Sequence, residues 1–269
     1  MLNICICQLI KDEQRYIEEW IDYYLNLGIS KFVLFEDWNS SSHKEVLSKY
    51  GDKIILYELL NILDNNEKEI LNDHNKPRQL AVWQCFYRLH KNDFDCCLFI
   101  DPDEYLHCSK NQFIDEIKYF IENTNAKILR YKWQCITASG YIRDPNPNNK
   151  YSIVNTYTKF YENDSSELNN NFKCLIFLNK LNNQNDFNPV PHGPYEYNWV
   201  HYSPILIYHY LTKSWDEFKW RLYVKGELTE SIYPRKIEIF FEINSDLQQY
   251  KEQLLKECEN LEYKYNDYN

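Results

Sequence analysis

Cys96-Cys97-Leu98-Phe99-Ile100-Asp101-Pro102-Asp103-Glu104-Tyr105-Leu106 opens as five apolar residues and turns acidic in a single step. The apolar run reads as a short buried strand. Two carboxylates in Asp-x-Asp spacing leave its end. In an extended segment, side chains two apart share a face, so Asp101 and Asp103 both point into one cleft. Such hard oxygen ligands suit Mn²⁺ or Mg²⁺, which would bridge two phosphates of a nucleotide. Glu104 either supports this pair from the other face or joins it. The plain alternative is a solvated acidic turn, and Asp-x-Asp alone does not displace it. Its place after a long strand–helix alternation does.

That alternation starts near the N-terminus. Ile4-Cys5-Ile6-Cys7-Gln8-Leu9-Ile10 reads as a buried strand. Asp12 is placed to cap the next helix and Glu13 to favour its dipole. Ile17, Trp20, Ile21, Tyr24 and Leu25 form an apolar helical stripe, and Gly28 is the expected stop. Lys31 to Glu36 is a second strand, 37–42 a loop, His43 to Tyr50 a short helix ended by Gly51, and Lys53 to Leu59 a third strand. This order predicts a parallel sheet with right-handed crossovers. Ligands in such sheets bind beyond the carboxyl ends of the strands, so 11–13 and 37–42 are where a nucleotide belongs. Residues 61–75 read as a polar loop and Pro77 to His90 as a helix. Phe113 to Ile121 is a further helix and Lys127 to Ile136 a strand. Beyond the turn-rich 144–150 and the polar loop 163–171, strands are expected near 152–161, 172–178 and 204–211. Ser214 with Glu217 forms a capping box for a helix to about Lys225. Ser245 is expected to cap a final helix that carries an apolar stripe.

The chain has 269 residues, 44% apolar and 26% charged, which excludes a disordered or collagen-like protein. With 30 basic and 40 acidic residues the net charge is −10, so nucleic acid is not an expected partner. Aromatics reach 17%, with 24 Tyr and 7 Trp. Abundant Asn, Lys, Ile and Tyr together look like the bias of an AT-rich genome. Only 5 Gly occur, with no Gly-rich phosphate loop. Nine cysteines lie scattered without a CxxC pair, which argues against a zinc ribbon. No run of apolar residues approaches a membrane span, and the first residues lack the pattern of a secretory leader. The expectation is reduced thiols and a cytoplasmic location.

Four segments, in order, resemble the GT-A-fold glycosyltransferases, and most closely the family 2-like group that includes family 92. The first is Lys11-Asp12-Glu13, then Glu19-Trp20, Tyr23-Tyr24, Leu27-Gly28, and Phe35-Glu36-Asp37 with Ser40. The second is Arg78-Gln79 with Cys85. The third is Ile100 to Leu106, similar to the family's I-D-x-D-E-F-L. The fourth is His209-Tyr210 with Lys213-Ser214 and Glu217-Phe218, similar to H-Y-x-x-K/R-S-x-x-E-F. The resemblance covers residues 4 to about 226.

The resemblance implies an α/β fold: a GT-A-type single domain with a Rossmann-like, mostly parallel central sheet flanked by helices and a C-terminal helical extension. It divides the chain into a glycosyltransferase domain at 1–230, its nucleotide half about 1–106 and its acceptor half about 107–230, and an extension at 231–269. It places uridine in the loops after the first two strands, with Asp37 contacting the base and Lys11 and Glu13 lining the same end. Asp101 and Asp103 would hold Mn²⁺ (or Mg²⁺) and the diphosphate. His209 sits where a further metal ligand or diphosphate contact is often found; its alternative is a core histidine, since Ile205, Ile207 and His209 share a strand face. Arg78 and Lys213 would neutralise the leaving diphosphate, or are solvated surface charges. His192-Gly193 also matches a family element, and Trp133, Ser139 and Gly140 fall where the acceptor pocket is built. Tyr195 and Trp199 are candidates for stacking on sugar, or for the core. An inverting transfer needs a carboxylate base; Glu196 is the choice over Asp144 and Asp186, and a retaining reaction would need none.

Three departures stand out. Asp12 replaces the usual Asn, Trp38-Asn39 interrupts the turn after Asp37, and no membrane anchor is seen, which favours a bacterial or viral enzyme. The expected function is transfer of a hexose from a UDP-sugar to a hydroxyl of a glycan or lipid-linked acceptor. The alternatives are a non-catalytic nucleotide-sugar or glycan-binding module and a nucleotide-sugar hydrolase.

Overall fold

A computed structural model describes residues 2–37, 42–73, 76–145, 152–181, 199–223 and 233–258. The strands are β1 (Ile4–Ile10), β2 (Lys31–Glu36), β3 (Ile54–Glu58), β4 (Cys96–Phe99), β5 (Glu104–Leu106), β6 (Ile128–Cys135), β7 (Phe172–Phe177) and β8 (Val200–His209). The helices are α1 (Ile17–Leu27), α2 (Lys44–Leu47), α3 (Leu59–Ile62), α4 (Asn65–Asn72), α5 (Arg78–His90), α6 (Lys110–Asn123), α7 (Ile153–Thr156), α8 (Trp215–Tyr223), α9 (Tyr233–Ile243) and α10 (Lys251–Lys256). The chain forms two compact units, Met1–Trp133 with Asn170–Ile207, and Gln134–Asn169 with Tyr208–Asn269.

The strand order is β3-β2-β1-β4-β7-β6-β8-β5. The α/β expectation holds, and β1 pairs in parallel with both β2 and β4, as β2 does with β3. The other half departs from a mostly parallel sheet: β7 runs antiparallel to β4 and to β6. The chain turns from β1 to β2 on one side and meets β4 on the other, so a topological switch point lies between β1 and β4.

Both faces of this half are covered. Cys5, Cys7, Val33, Phe35, Cys97 and Phe99 pack with Ala81, Val82, Cys85 and Phe86 of α5. On α1, Ile17, Trp20, Ile21 and Tyr24 are buried, and the Trp20 ring lies 5.4 Å from that of Phe32. Strands buried on both faces read as continuous apolar runs, which is why Ile4–Ile10 shows little alternation. All nine cysteines are free thiols; eight are buried and Cys108 is half-exposed. Gly28 ends α1 in the left-handed region (φ 111°), as expected, its N–H donating to Tyr24 and Leu25 carbonyls.

Several local expectations fail. Asp12 does not cap α1; it has φ 52° and the helix begins at Ile17 after Tyr16. The loop expected at 61–75 gives way to a helix over Asn65–Asn72, because Asp64 and Glu67 make a reciprocal capping box that starts α4. Ser152 caps the short α7 where a strand was expected, and Phe160 makes just an isolated bridge to Ile136. Ser245 opens a 3₁₀ turn, Ser245–Tyr250, ahead of α10, with Asn244 in the capping position. Ser214 does accept from the Glu217 N–H, at 3.2 Å.

The second unit has its own core, with Trp215, Phe218, Phe240 and Phe241 in mutual ring contact. Buried Asn244 bridges its segments, accepting from Ala138 N–H at 2.5 Å and donating to Phe240 O at 2.8 Å. No helix of the described residues is long and apolar enough to cross a membrane.

Candidate functional site

The first unit gathers three chain segments at the carboxyl ends of β1, β2 and β4. After β4, the Asp101–Glu104 turn closes on itself: Glu104 N–H donates to Asp101 O and Asp101 N–H to Glu104 Oε2, both at 3.0 Å. Tyr24 of α1 secures β5 at the exit of this turn, its hydroxyl accepting from Leu106 N–H and donating to Glu104 O, each at 3.1 Å. Tyr23 donates to Leu106 O at 2.5 Å, and its ring meets Tyr105 edge-on. The Tyr-Tyr pair of α1 thus acts as a clamp on the acidic turn.

Asp101 is held from both sides. Gln8 of β1 donates to its Oδ1 at 2.8 Å, across the switch point. The Lys173 ammonium meets its Oδ2 at 2.5 Å and Glu104 Oε1 at 3.6 Å. Lys173 stands on β7, one step beyond the Phe99–Cys174 pair, and its Nζ lies 5.6 Å from the centroid of the Trp133 ring. Burial works to lower the Lys173 pKa, but Asp101 and then Glu104 outweigh it and hold the ammonium above its ordinary value. Glu104 is fully buried; that burial pushes its carboxyl well above the usual range, Lys173 opposes the shift, and Asp101 and Asp103 add to it. Asp103 is half-buried beside them.

The second segment comes after β2. Asp37 donates its N–H to Ile10 O at 3.0 Å, tying the ends of β2 and β1. Its carboxylate takes Arg78 Nη1 at 2.7 Å from the first turn of α5. Two residues assigned separately to the nucleotide are therefore partners. The third segment is Lys11–Glu13, half-buried after β1. It is set by fully buried His43, whose N–H and Nδ1 both engage Glu36 Oε1, at 2.6 and 2.8 Å. His43 Nε2 accepts from Glu13 N–H at 2.9 Å, which assigns the ring proton to Nδ1.

Gln8, His43 and Lys173 were not among the residues singled out from sequence. Gln8 and Lys173 each interrupt an apolar strand, and a polar side chain there needs a partner if it faces inward. That was the available signal. His43 carried none, because its partners Glu36 and Glu13 lie on other elements.

The remaining candidates come from later segments of the chain. His209 ends β8, buried, its carbonyl accepting from Ile136 N–H at 2.9 Å. Lys213 is buried with φ 52° just before α8. Both belong to the second unit, as do Ser139, Gly140 and Asp144. Asp144 N–H donates to Asp216 at 3.1 Å, and Ser139 Oγ accepts from Thr158 and Lys159 N–H groups. The second unit also carries an open groove of about 570 Å³ lined by Thr137, Phe160 and Asp246, among others. Trp199 packs partly buried against the first unit's core. Glu196, Asp186, His192, Gly193, Tyr195, Trp38, Asn39 and Ser40 lie outside the described residues.

Among solved structures, the chain is similar to Staphylococcus aureus TarS 1–349, at 13% identity over 94% of this chain and 73% of that one, with a TM-score of 0.42. It is also similar to HddC from Yersinia pseudotuberculosis, at 9% identity over 78% and 93% with a TM-score of 0.41. A third is glucosyl-3-phosphoglycerate synthase from Mycobacterium tuberculosis, in complex with Mn²⁺, UDP and phosphoglyceric acid, at 14% identity over 49% and 43% with a TM-score of 0.32. Among curated proteins, a glycosyltransferase family 92 protein of Oryza sativa subsp. japonica is 24% identical over 118 residues, 43% of this chain. The match spans 18% of that relative's length. The family model described as glycosyltransferase family 92 matches residues 1–259. With that match over nearly all of the sequence, the chain belongs to glycosyltransferase family 92.

Proposed function

We propose that this chain is a metal-dependent glycosyltransferase that moves a hexose from a UDP-sugar to a hydroxyl of a glycan or lipid-linked acceptor, with inversion. The observation that carries the reading is the clamped Asp101–Glu104 turn beside the β1/β4 switch point, in a family 92 chain.

The donor set fits Mn²⁺ or Mg²⁺: Asp103 and Glu104 bring carboxylate oxygens within 4.8 Å of one another, and Asp101, already accepting two bonds, keeps lone pairs for a cation. A bound ion would supply positive charge against the diphosphate. The chain's own residues do the rest. Gln8 and Lys173 fix the direction of Asp101, and Tyr23 and Tyr24 fix the turn. Asp37, set by Arg78, faces the uridine end together with Lys11 and Glu13. The Arg78 guanidinium adds a cation near the departing diphosphate. Glu196 takes the acceptor proton; its assignment and those of His209 and Lys213 rest on the sequence.

Calorimetry of UDP with Mn²⁺, repeated with EDTA, tests this. Tight binding that EDTA abolishes, and that Asp103→Ala loses with its fold intact, is expected. Equal UDP binding by Asp103→Ala would displace the site. Normal transfer by Glu196→Gln would move the base.

A further inference from the structure

The acidic turn already has a cation. Lys173 is buried, 7% exposed, and reaches Asp101 Oδ2 at 2.5 Å and Glu104 Oε1 at 3.6 Å. It comes from β7, outside the Asp-x-Asp segment, and is backed by the Trp133 ring. A lysine in this position is costly to bury unless paired, and its pairing here is with the carboxylate proposed for the metal. We propose that Lys173 is a resident counter-cation: it holds Asp101 in the metal-free protein, and a divalent ion must compete with it. The affinity for metal is then set by β7 as well as by Asp101 and Asp103. This rests on the proposed metal site at Asp101 and Asp103.

The charges decide the sign. An ammonium within a few ångströms of a divalent ion repels it, and burial limits screening. Removing the ammonium should therefore tighten metal binding, although it loosens the protein without metal, where Asp101, Asp103 and Glu104 would face one another. A merely structural lysine would do the opposite, since a distorted site binds metal less well.

The test is binding of Mn²⁺ alone, monitored by the paramagnetic resonance of free Mn²⁺, with no nucleotide and no turnover. Lys173→Met should bind on the order of tenfold more tightly than wild type, or more. Lys173→Arg, which keeps the charge, should stay near wild type, and Asp103→Ala should lose binding. Unchanged or weaker binding by Lys173→Met, with wild type binding normally, overturns the inference and leaves the metal reading standing. No binding by either protein overturns both. Binding gained only in Lys173→Met supports the inference.

Should Lys173→Met fail to fold, the wild type still gives an answer through Trp133. Mg²⁺ binding to the metal-free protein should change tryptophan emission as the ammonium shifts from the indole, and Trp133→Phe should lose that change. Bound Mg²⁺ with no change in emission overturns the inference.

Discussion

Arg78→Ala tests whether Asp37 and Arg78 act as one unit. The substitution removes the guanidinium 2.7 Å from a carboxylate whose side chain is 2% exposed. Breaking a fully buried pair from one side costs about 3–5 kcal/mol, because a charge is left behind. Arg78 is itself 22% exposed, so water can partly replace it. We therefore expect a loss of about 2–3 kcal/mol, below the fully buried range. For a unit of this size that lowers the melting temperature by roughly 5–10 °C. Asp37→Asn keeps the shape but removes the charge that needs compensation. In that background Arg78→Ala should cost about 1 kcal/mol, the scale of an ordinary hydrogen bond. The coupling between the two sites is then about 1–2 kcal/mol. Urea unfolding of the four proteins, monitored by circular dichroism, measures it. If Arg78→Ala costs under about 0.5 kcal/mol, or costs the same in both backgrounds, the pair is no unit and the reasoning fails.

The geometry sets three further outcomes. His43→Ala should free the Glu13 amide and leave Glu36 without its ring partner, costing about 1–3 kcal/mol; hydrogen exchange at Glu13 should quicken, and an unchanged rate would remove His43 as the anchor of that turn. Gly28→Ala places a methyl in left-handed backbone and 3.1 Å from Ile114 Cδ1, for a loss of about 1–2 kcal/mol by thermal melting; an unaltered melt would mean the turn adapts freely. Glu257 is held down to about 2 chiefly by its bond to Arg143, with Lys219 adding to the effect. A lowered carboxyl contributes stability above its ordinary value, and that contribution is lost as pH falls toward about 2. Glu257→Gln should therefore flatten acid unfolding of the second unit over that window, and an identical acid profile in both proteins would refute the assignment.

The parallel half of the fold was legible because its strands are buried on both faces and so advertise themselves as apolar runs. The helix after β1 was equally plain from its stripe, and Gly28 from its place at the end of it. What stayed hidden depends on partners distant in sequence. Lys173 meets Asp101 across 72 positions, Gln8 meets it across 93, and Tyr24 meets Glu104 across 80. No local period encodes those pairings. The sequence likewise showed Asp37 and Arg78 as two candidates, with nothing in their spacing to join them. The α4 capping box was written locally, in Asp64-Asn65-Asn66-Glu67, but polar composition masked it. Where Asp12 was expected to cap, its left-handed backbone instead turns the chain toward the residues that His43 secures.

The distribution of thiols has a consequence for how opening of this molecule can be tracked in time. A reagent for free thiols should meet Cys108 first, since the other eight side chains are enclosed, although burial pushes the Cys108 thiol up to about 12 and tempers that reaction too. Cys5, Cys97 and Cys174 lie on three neighbouring strands, and burial raises their pKa values, which slows attack further. Each of them reacts at the rate at which its own layer exposes it. Mass increments counted against time then resolve the release of the central strands from that of Cys258 in the second unit, with no probe added and no residue changed.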